Sequence, residues 1–485
     1  MAADNVSVLE IDFTRVLERF REWRYIVAAN SSAGYTGNKL TYVFGALGGL
    51  LFGYDTAVIA GALLFLQSDF AIGAALQGVV VSALLVGAMV GAGGCGPLSD
   101  LIGRRRLLLV AASLFTIGAL GAALSPSVGI LIVFRVLLGL AVGAASVTVP
   151  VYLAEMAPKE LRGVVTSLNQ FMIITGIVIA ATVNFLLADA EAWRTMLGLG
   201  VIPALVLLVG IFSQPETPRW LVKRGRDDEA RAVLARSRST ERIESEINEI
   251  KEVEAREEGG IQELIAPWVR PALVVGIGLA VFQQLIGINT IAYYAPTILT
   301  QLGFDPSTAT LFKVVIGLVN LAAIITMLRL GLVDRIGRRP LLLLGTVGTT
   351  LSMGVIGLAS TIFSPSSTVA VWTTILGLMA FTGIFSASWG PLTWVVLSEI
   401  FPLRIRGAAV GVATILHWGA NFLVSLTFPI LLASLGTGQT FIGYAVIGVL
   451  VFIFVYFQVA ETKGRSLEEI ERALFKRTPT ESMRA

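Results

Sequence analysis

The chain has 485 residues, 55% of them hydrophobic and 14% charged, against about 25% charged in an ordinary soluble domain. That balance excludes a soluble globular protein, and a formal net charge of +3 is too small to argue for a nucleic-acid partner. One cysteine, Cys95, and one histidine, His417, exclude an internal disulfide and leave little for a metal centre or a nucleophilic enzyme, so no cofactor, metal or catalytic residue is expected.

Residues 1–39 form a cytoplasmic N-terminal segment in which Phe13, Val16, Leu17 and Phe20 share one helical face. A surface helix and an interfacial anchor fit this stretch equally, and it lacks the pattern of a signal peptide. From residue 40 onward, runs of about 20 apolar residues recur, each long enough to cross a ~30 Å hydrocarbon layer. The spans fall near 40–66, 76–98, 106–124, 128–152, 163–187, 193–213, 270–300, 309–330, 339–362, 368–400, 405–433 and 438–460. The expected fold is all-α, a polytopic membrane protein of twelve transmembrane helices in two six-helix bundles, 40–213 and 270–460. Glycines at helical spacing, Gly45/Gly49/Gly53 and Gly87/Gly91, predict close helix approach.

Residues 214–269, between spans 6 and 7, form a charged helical linker in which Ile243, Ile247, Ile250 and Val253 line one face. Residues 461–485 form a tail. Loops on the linker side carry Arg104 to Arg106, Lys159, Arg162, Arg335, Arg338, Arg339, Arg404 and Arg406, whereas the opposite loops contain no Lys or Arg. By the positive-inside rule the linker side and both termini are cytoplasmic, in a bilayer expected to be the plasma membrane.

The halves repeat each other. Gly96-Pro-Leu-Ser-Asp100-Leu-Ile-Gly103-Arg-Arg returns as Gly331-Leu-Val-Asp334-Arg-Ile-Gly337-Arg-Arg, 234 residues on at the aspartate. Glu155 to Arg162 returns as Glu399 to Arg406, offset by 244, and Glu216 of Pro-Glu-Thr-Pro-Arg returns as Glu461 of Ala-Glu-Thr-Lys-Gly-Arg, offset by 245.

With these doubled loops, Pro-Glu-Thr-Pro-Arg-Trp-Leu at 215–221, Gln-Gln-x-x-Gly-Ile-Asn at 283–289 and Glu-Thr-Lys-Gly-Arg at 461–465, residues 40–475 resemble the sugar porter family of the major facilitator superfamily. Ala460 departs from the proline usual there. The resemblance implies a cytoplasmic gate built from Asp100, Arg104, Glu155, Arg162, Glu216 and Arg219 in one half and Asp334, Arg338, Glu399, Arg406, Glu461 and Arg465 in the other. Positive-inside anchoring alone would explain the arginines but not the acids at repeated spacing.

Counting residues at 1.5 Å each places Gln283, Gln284, Asn320 and His417 near mid-membrane. Amides offer both donor and acceptor to sugar hydroxyls, although any one of them also suits an interhelical hydrogen bond. The resemblance adds Phe52, Gln170, Asn289 and Trp389 to the sugar-binding set, Trp389 offering an apolar face to the ring. His417 fits either as a donor and acceptor in place of an amide or as a pH-dependent contact.

Asp55 and Arg135 are the clearest charges far from the ends of their spans, and such charges are functional by default. Counted from the outer ends they lie about 16 and 10 Å deep, near enough to meet. A pair that separates would switch proton affinity, while a permanent pair would be structural. In the family, proton symporters have this aspartate. The expectation is proton-coupled symport of a monosaccharide, a hexose first, by a protein acting as a monomer, with a facilitative sugar uniporter as the alternative. No Gly-x-x-x-x-Gly-Lys-[Ser/Thr] phosphate loop occurs, and an intrinsic ATP-driven pump is not expected.

Overall fold

The computed structural model describes residues 39–158, 161–254, 263–264, 266–401 and 405–463. Residues 1–38, Lys159, Arg404, Arg465 and the rest of the tail, with the roles expected of them, lie outside the described residues.

In the first half, spans 1 to 5 are α1 (Lys39–Asp69), α2 (Ala74–Ile102), α3 (Arg104–Ala123), α4 (Val128–Met156) and α5 (Arg162–Ala188). Span 6 is broken into α6 (Trp193–Gly198) and α7 (Val201–Phe212). Three linker helices follow, α8 (Pro218–Lys223), α9 (Asp227–Leu234) and α10 (Thr240–Glu254). Ile243 and Ile247 are buried against Trp220, Leu221, Val233 and Leu234, so the apolar face read from the sequence packs the linker into a small core of its own.

In the second half, span 7 is two helices, α11 (Arg270–Leu285) and α12 (Ile288–Gln301), and span 8 is α13 (Pro306–Leu330) followed by the short α14 (Leu332–Ile336). Span 9 is α15 (Arg338–Ile362), and span 10 is again broken, into α16 (Thr368–Ser386) and α17 (Trp389–Ile400). The last stretch, α18 (Arg406–Gln458), changes direction at Gly436, whose φ of 78° and ψ of 170° are not helical, so it supplies spans 11 and 12. The described residues therefore hold eleven helical stretches long and apolar enough to cross a membrane, the last of them double. Exposed Leu, Val, Ile and Phe side chains are spread over the outer faces of both bundles. In a bilayer this is the solvent-matched surface.

Hydropathy predicts spans 6, 7 and 10 as continuous, and the structure breaks all three. Span 7 breaks because Gly287 is left-handed at φ 99°, a conformation an L side chain resists. Apolar content is equal on both sides of such a break, which hides it from a hydropathy reading.

The predicted glycine stripes do bring backbones together. A Cβ at Gly53 would overlap the Ile173 carbonyl of α5, and one at Gly87 the Val136 carbonyl of α4. Without a hydrophobic drive between helices in lipid, this close approach supplies van der Waals contact that larger residues would forbid.

The two halves meet along α2 with α18, α5 with α13, and α1 with α12. Along α2 and α18 the seam is wedge-shaped. On the side away from the linker, a Cβ at Gly78 would overlap the Leu426 carbonyl oxygen. Towards the linker, one at Gly419 would lie 3.8 Å from the Met89 sulfur and one at Gly93 3.6 Å from Ile415, while Gly96, Gly407 and Gly411 face nothing within 4 Å. The seam is thus closed on the far side and open on the linker side.

Candidate functional site

The breaks in spans 7 and 10 face each other and position the candidate site. Discontinuous helices free backbone and side-chain polar groups inside a membrane where intact helices would hide them. Gln283 and Gln284 occupy the last turn of α11, Asn289 the first turn of α12, and Trp389 and Gly390 the first turn of α17. Gln283 Nε2 donates to the Trp389 carbonyl at 2.9 Å and to that of Gly390 at 3.2 Å. Its Oε1 is buried with no partner among the described residues. A buried acceptor without a donor is costly, and a ligand hydroxyl is the simplest group to satisfy it.

Gln284 is consumed by the protein. Its Oε1 accepts from Asn289 Nδ2, and its Nε2 lies 3.1 Å from His417 Nε2. His417 Nδ1 lies 3.2 Å from the Ala280 carbonyl, which requires a proton on Nδ1. That tautomer leaves Nε2 as acceptor for Gln284, so His417 orients the amides.

The remaining candidates are less uniform. Asn320, half-buried on α13, accepts from Ser386 Oγ at 2.7 Å. Gln170 on α5 is exposed. Trp389 is fully buried and its Nε1 donates to Thr346 Oγ1 at 3.0 Å, so it offers no open face to a ring here. Phe52 of α1 packs edge-on against Trp418 of α18 at 5.8 Å, which carries the aromatic cluster across the seam between halves.

Trp418 then meets His417 at 5.7 Å, and His417 meets Trp394 at 5.2 Å. Sequence reasoning missed Trp394, Trp418 and Asn421. Asn421 stands one helical turn after His417 and donates to the Tyr293 hydroxyl at 3.4 Å, a placement that the four-residue spacing could have suggested.

Asp55 and Arg135 do meet. Arg135 Nη1 lies 3.3 Å from both carboxylate oxygens, and Nε donates to the Val80 carbonyl at 3.4 Å. Both side chains are buried, and Arg135 Nη2 has no hydrogen-bond partner among the described residues. Breaking such a pair by removing one partner leaves an uncompensated buried charge and costs about 3–5 kcal/mol.

The gate residues form two networks on the linker side, one per half. In the first, Arg104 pairs with Asp100 at 3.0 Å and with Glu155 at 3.2 Å, and Arg162 Nε donates to the Ala154 carbonyl at 3.0 Å. Arg219, Arg162 and Glu155 also line a cavity of about 240 Å³ between the bundle and the linker helices. In the second, Arg338 pairs with Asp334 at 3.2 Å and Glu399 at 2.9 Å, Thr462 Oγ1 donates to Glu399 at 2.6 Å, and Arg406 Nε donates to the Phe401 carbonyl at 3.1 Å. The sequence reading has such pairs holding the interface shut. In the structure every one of these ion pairs stays within one half, which agrees with a seam that is open on that side.

The doubled motifs have one shared construction. Glu216 accepts from the backbone N–H of Arg105 at 3.0 and 3.1 Å, at the N-terminus of α3. Glu461 does the same for Arg338 at 3.0 Å and Arg339 at 3.1 Å, at the N-terminus of α15. Helix N-termini favour anions through their unpaired N–H groups. Each helix is preceded by a glycine of positive φ, Gly103 at 97° and Gly337 at 102°, where a Cβ would press on the glutamate. Partial burial pushes Glu461 up, but the N–H groups of Lys463, Arg338, Arg339 and Thr462 outweigh it and hold the carboxyl below the usual glutamate range.

The sequence profile of the family described as "Sugar (and other) transporter" matches residues 41–474. The chain belongs to this sugar porter family of the major facilitator superfamily. It is a multi-pass membrane transporter and not an enzyme. The D-xylose transporter of Levilactobacillus brevis is 47% identical over 440 residues, 90% of this chain and 96% of its own. The glucose transporter GlcP of Staphylococcus epidermidis is 45% identical over 439 residues, 90% of this chain and 98% of its own.

Among solved structures, the partially occluded inward open form of the E. coli xylose transporter XylE is 32% identical with a TM-score of 0.77, covering 88% of this chain and 99% of that one. The proton:xylose symporter XylE bound to 6-bromo-6-deoxy-D-glucose is 33% identical with a TM-score of 0.72, covering 91% and 99%.

Proposed function

We propose that this chain is a proton-coupled monosaccharide symporter that works by alternating access as a monomer in the plasma membrane, with the linker side and both termini cytoplasmic. The observation that carries the proton part is the Asp55–Arg135 pair, held at 3.3 Å inside the first bundle with one guanidinium nitrogen lacking a hydrogen-bond partner among the described residues. A carboxylate that can trade its arginine for a proton is a coupling element, since the two partners compete for the same oxygens. At about 2.3 kcal/mol per charge per 100 mV, a proton driven by about 150 mV supplies roughly 3.5 kcal/mol, enough for a few hundredfold accumulation.

The sugar part rests on Gln283 Oε1, a buried acceptor without a donor among the described residues between spans 7 and 10, and on relatives named for D-xylose and for glucose. A hexose is the first substrate to test and a pentose the second. Labelled-sugar uptake into proteoliposomes under an inward proton gradient, with a panel of unlabelled competitors, tests both parts. Uphill accumulation abolished by a protonophore supports symport. Uptake that only equilibrates and ignores the protonophore supports a uniporter instead.

A further inference from the structure

Lys313 is buried, 5% exposed, yet the mechanism above gives it no work. It stands seven residues into α13, about 10 Å from that helix's far-side end at 1.5 Å per residue. Gly317 and Asn320 follow it one and two turns on, along the same helical face. At Gly317 that face approaches Val178 of the other half, a Cβ there lying 3.6 Å from it.

Lys313 Nζ donates to the Ile291 carbonyl of α12 at 3.1 Å and pairs with no carboxylate among the described residues. The titratable groups on neighbouring elements leave it alone. On α12 they are Tyr293 and Tyr294, and α16 has none. On α5 only Arg162 is charged, at the opposite end, as are Arg329 of α13 and Asp334 and Arg335 of α14, while the far-side helix ends carry Asp305, which caps α13 by accepting from the Thr308 N–H, and Asp189 and Glu191 just after α5. On α1, Tyr42 lies towards the linker side and the Tyr54 hydroxyl donates to the Met196 carbonyl, while Asp55 is held by Arg135 and Asp69 by Arg194.

An ammonium has three N–H donors and a full charge, and one carbonyl is meagre compensation away from water. The neutral amine can make the same hydrogen bond without that penalty. The acceptor sits on α12, which follows the left-handed Gly287 and packs on α1 of the other half, at the closed end of the seam.

We propose that Lys313 is a second proton-dependent residue of the transport cycle, a positioning residue that latches α12 to α13 as the far side closes. On closure its ammonium loses one proton to water on the far side, and the resulting amine keeps its N–H on the Ile291 carbonyl. When the far side opens, water re-enters, the amine takes a proton back, and the latch is released. The inference rests on the alternating-access reading and does not depend on Asp55 being the coupling acid. Because closure releases a proton, raising the pH favours the closed far side, by up to about tenfold in the closed-to-open ratio per pH unit for one proton.

The test is a distance measurement between spin labels on the far-side ends of α1 and α12 in the full chain in lipid nanodiscs, titrated over about pH 5 to 10. It is made in the wild type and in Asp55→Asn, so that pH dependence from the coupling acid is separated. In both backgrounds Lys313→Met should flatten the closure curve by the lysine's share. Lys313→Arg, whose guanidinium stays charged, should hold the far side open throughout. The proposal is overturned if Lys313→Met keeps the full pH slope of its parent, or if Lys313→Arg closes as readily as its parent does.

Discussion

Gln283 and Gln284 are adjacent and chemically identical, yet the fold uses them differently. Counting depth along span 7 finds both at mid-membrane, but it does not show that Gln284 is tied up by Asn289 and His417 while Gln283 keeps a bare Oε1. Adjacent residues of the continuous α11 point about 100° apart, so one amide meets α17 and the other α18. Gln283→Ala should therefore weaken sugar binding by about 1–3 kcal/mol, roughly 5- to 150-fold, because a ligand hydroxyl loses its buried partner. Calorimetry on the purified variant checks this, and unchanged affinity would remove Gln283 from the site. His417→Phe should act on the protein before it acts on the ligand, leaving the Gln284 N–H without its acceptor. A lower melting temperature without sugar is the expected reading, and a stability equal to wild type would show that the ring does not hold the amide.

Among the elements, the doubled motifs were the most legible feature of the sequence and also the most easily misread. Their repetition at near-constant offset announced two related halves, but residue spacing says nothing about which acid meets which arginine. The structure keeps each network inside its own half and gives Glu216 and Glu461 a capping task at α3 and α15. Gly337→Ala should destabilise the second half by about 1–3 kcal/mol, the cost of placing a Cβ in an extended conformation of positive φ that favours glycine, before any displacement of Glu461 is added. Thermal unfolding in detergent reads this, and an unchanged melting temperature would argue against the cap. Because the Glu461 carboxyl is held below its usual range in the folded state, its contribution is present above the unfolded value of about 4.3 and fades as pH falls through the folded value. Glu461→Gln should flatten the acid limb of the stability curve while leaving the pH dependence near neutrality alone.

At the scale of the whole molecule, twelve spans, two bundles and an amphipathic linker follow from hydropathy, the repeat and the apolar stripe of α10. The conformational state does not, since the same side chains serve an open and a closed seam. It becomes visible only in the wedge between α2 and α18, tight at Gly78 and empty at Gly407 and Gly411. Gly78→Leu should drive a side chain into the Leu426 carbonyl and shift the population away from the far-side-closed form, which distance measurements across the far ends of α2 and α18 would detect. An unshifted distribution would mean that the seam at Gly78 does not limit closure.

The central claim is that these conformations are coupled to a proton through Asp55, and sugar uptake into proteoliposomes under an imposed inward proton gradient tests it most directly. Wild type and Asp55→Asn are compared with and without a protonophore, at matched expression and binding. The account predicts that Asp55→Asn, which cannot bind or release a proton at that position, loses uphill accumulation while still binding sugar and exchanging labelled for unlabelled molecules. Accumulation by Asp55→Asn equal to wild type, or wild-type uptake indifferent to the protonophore, would contradict it.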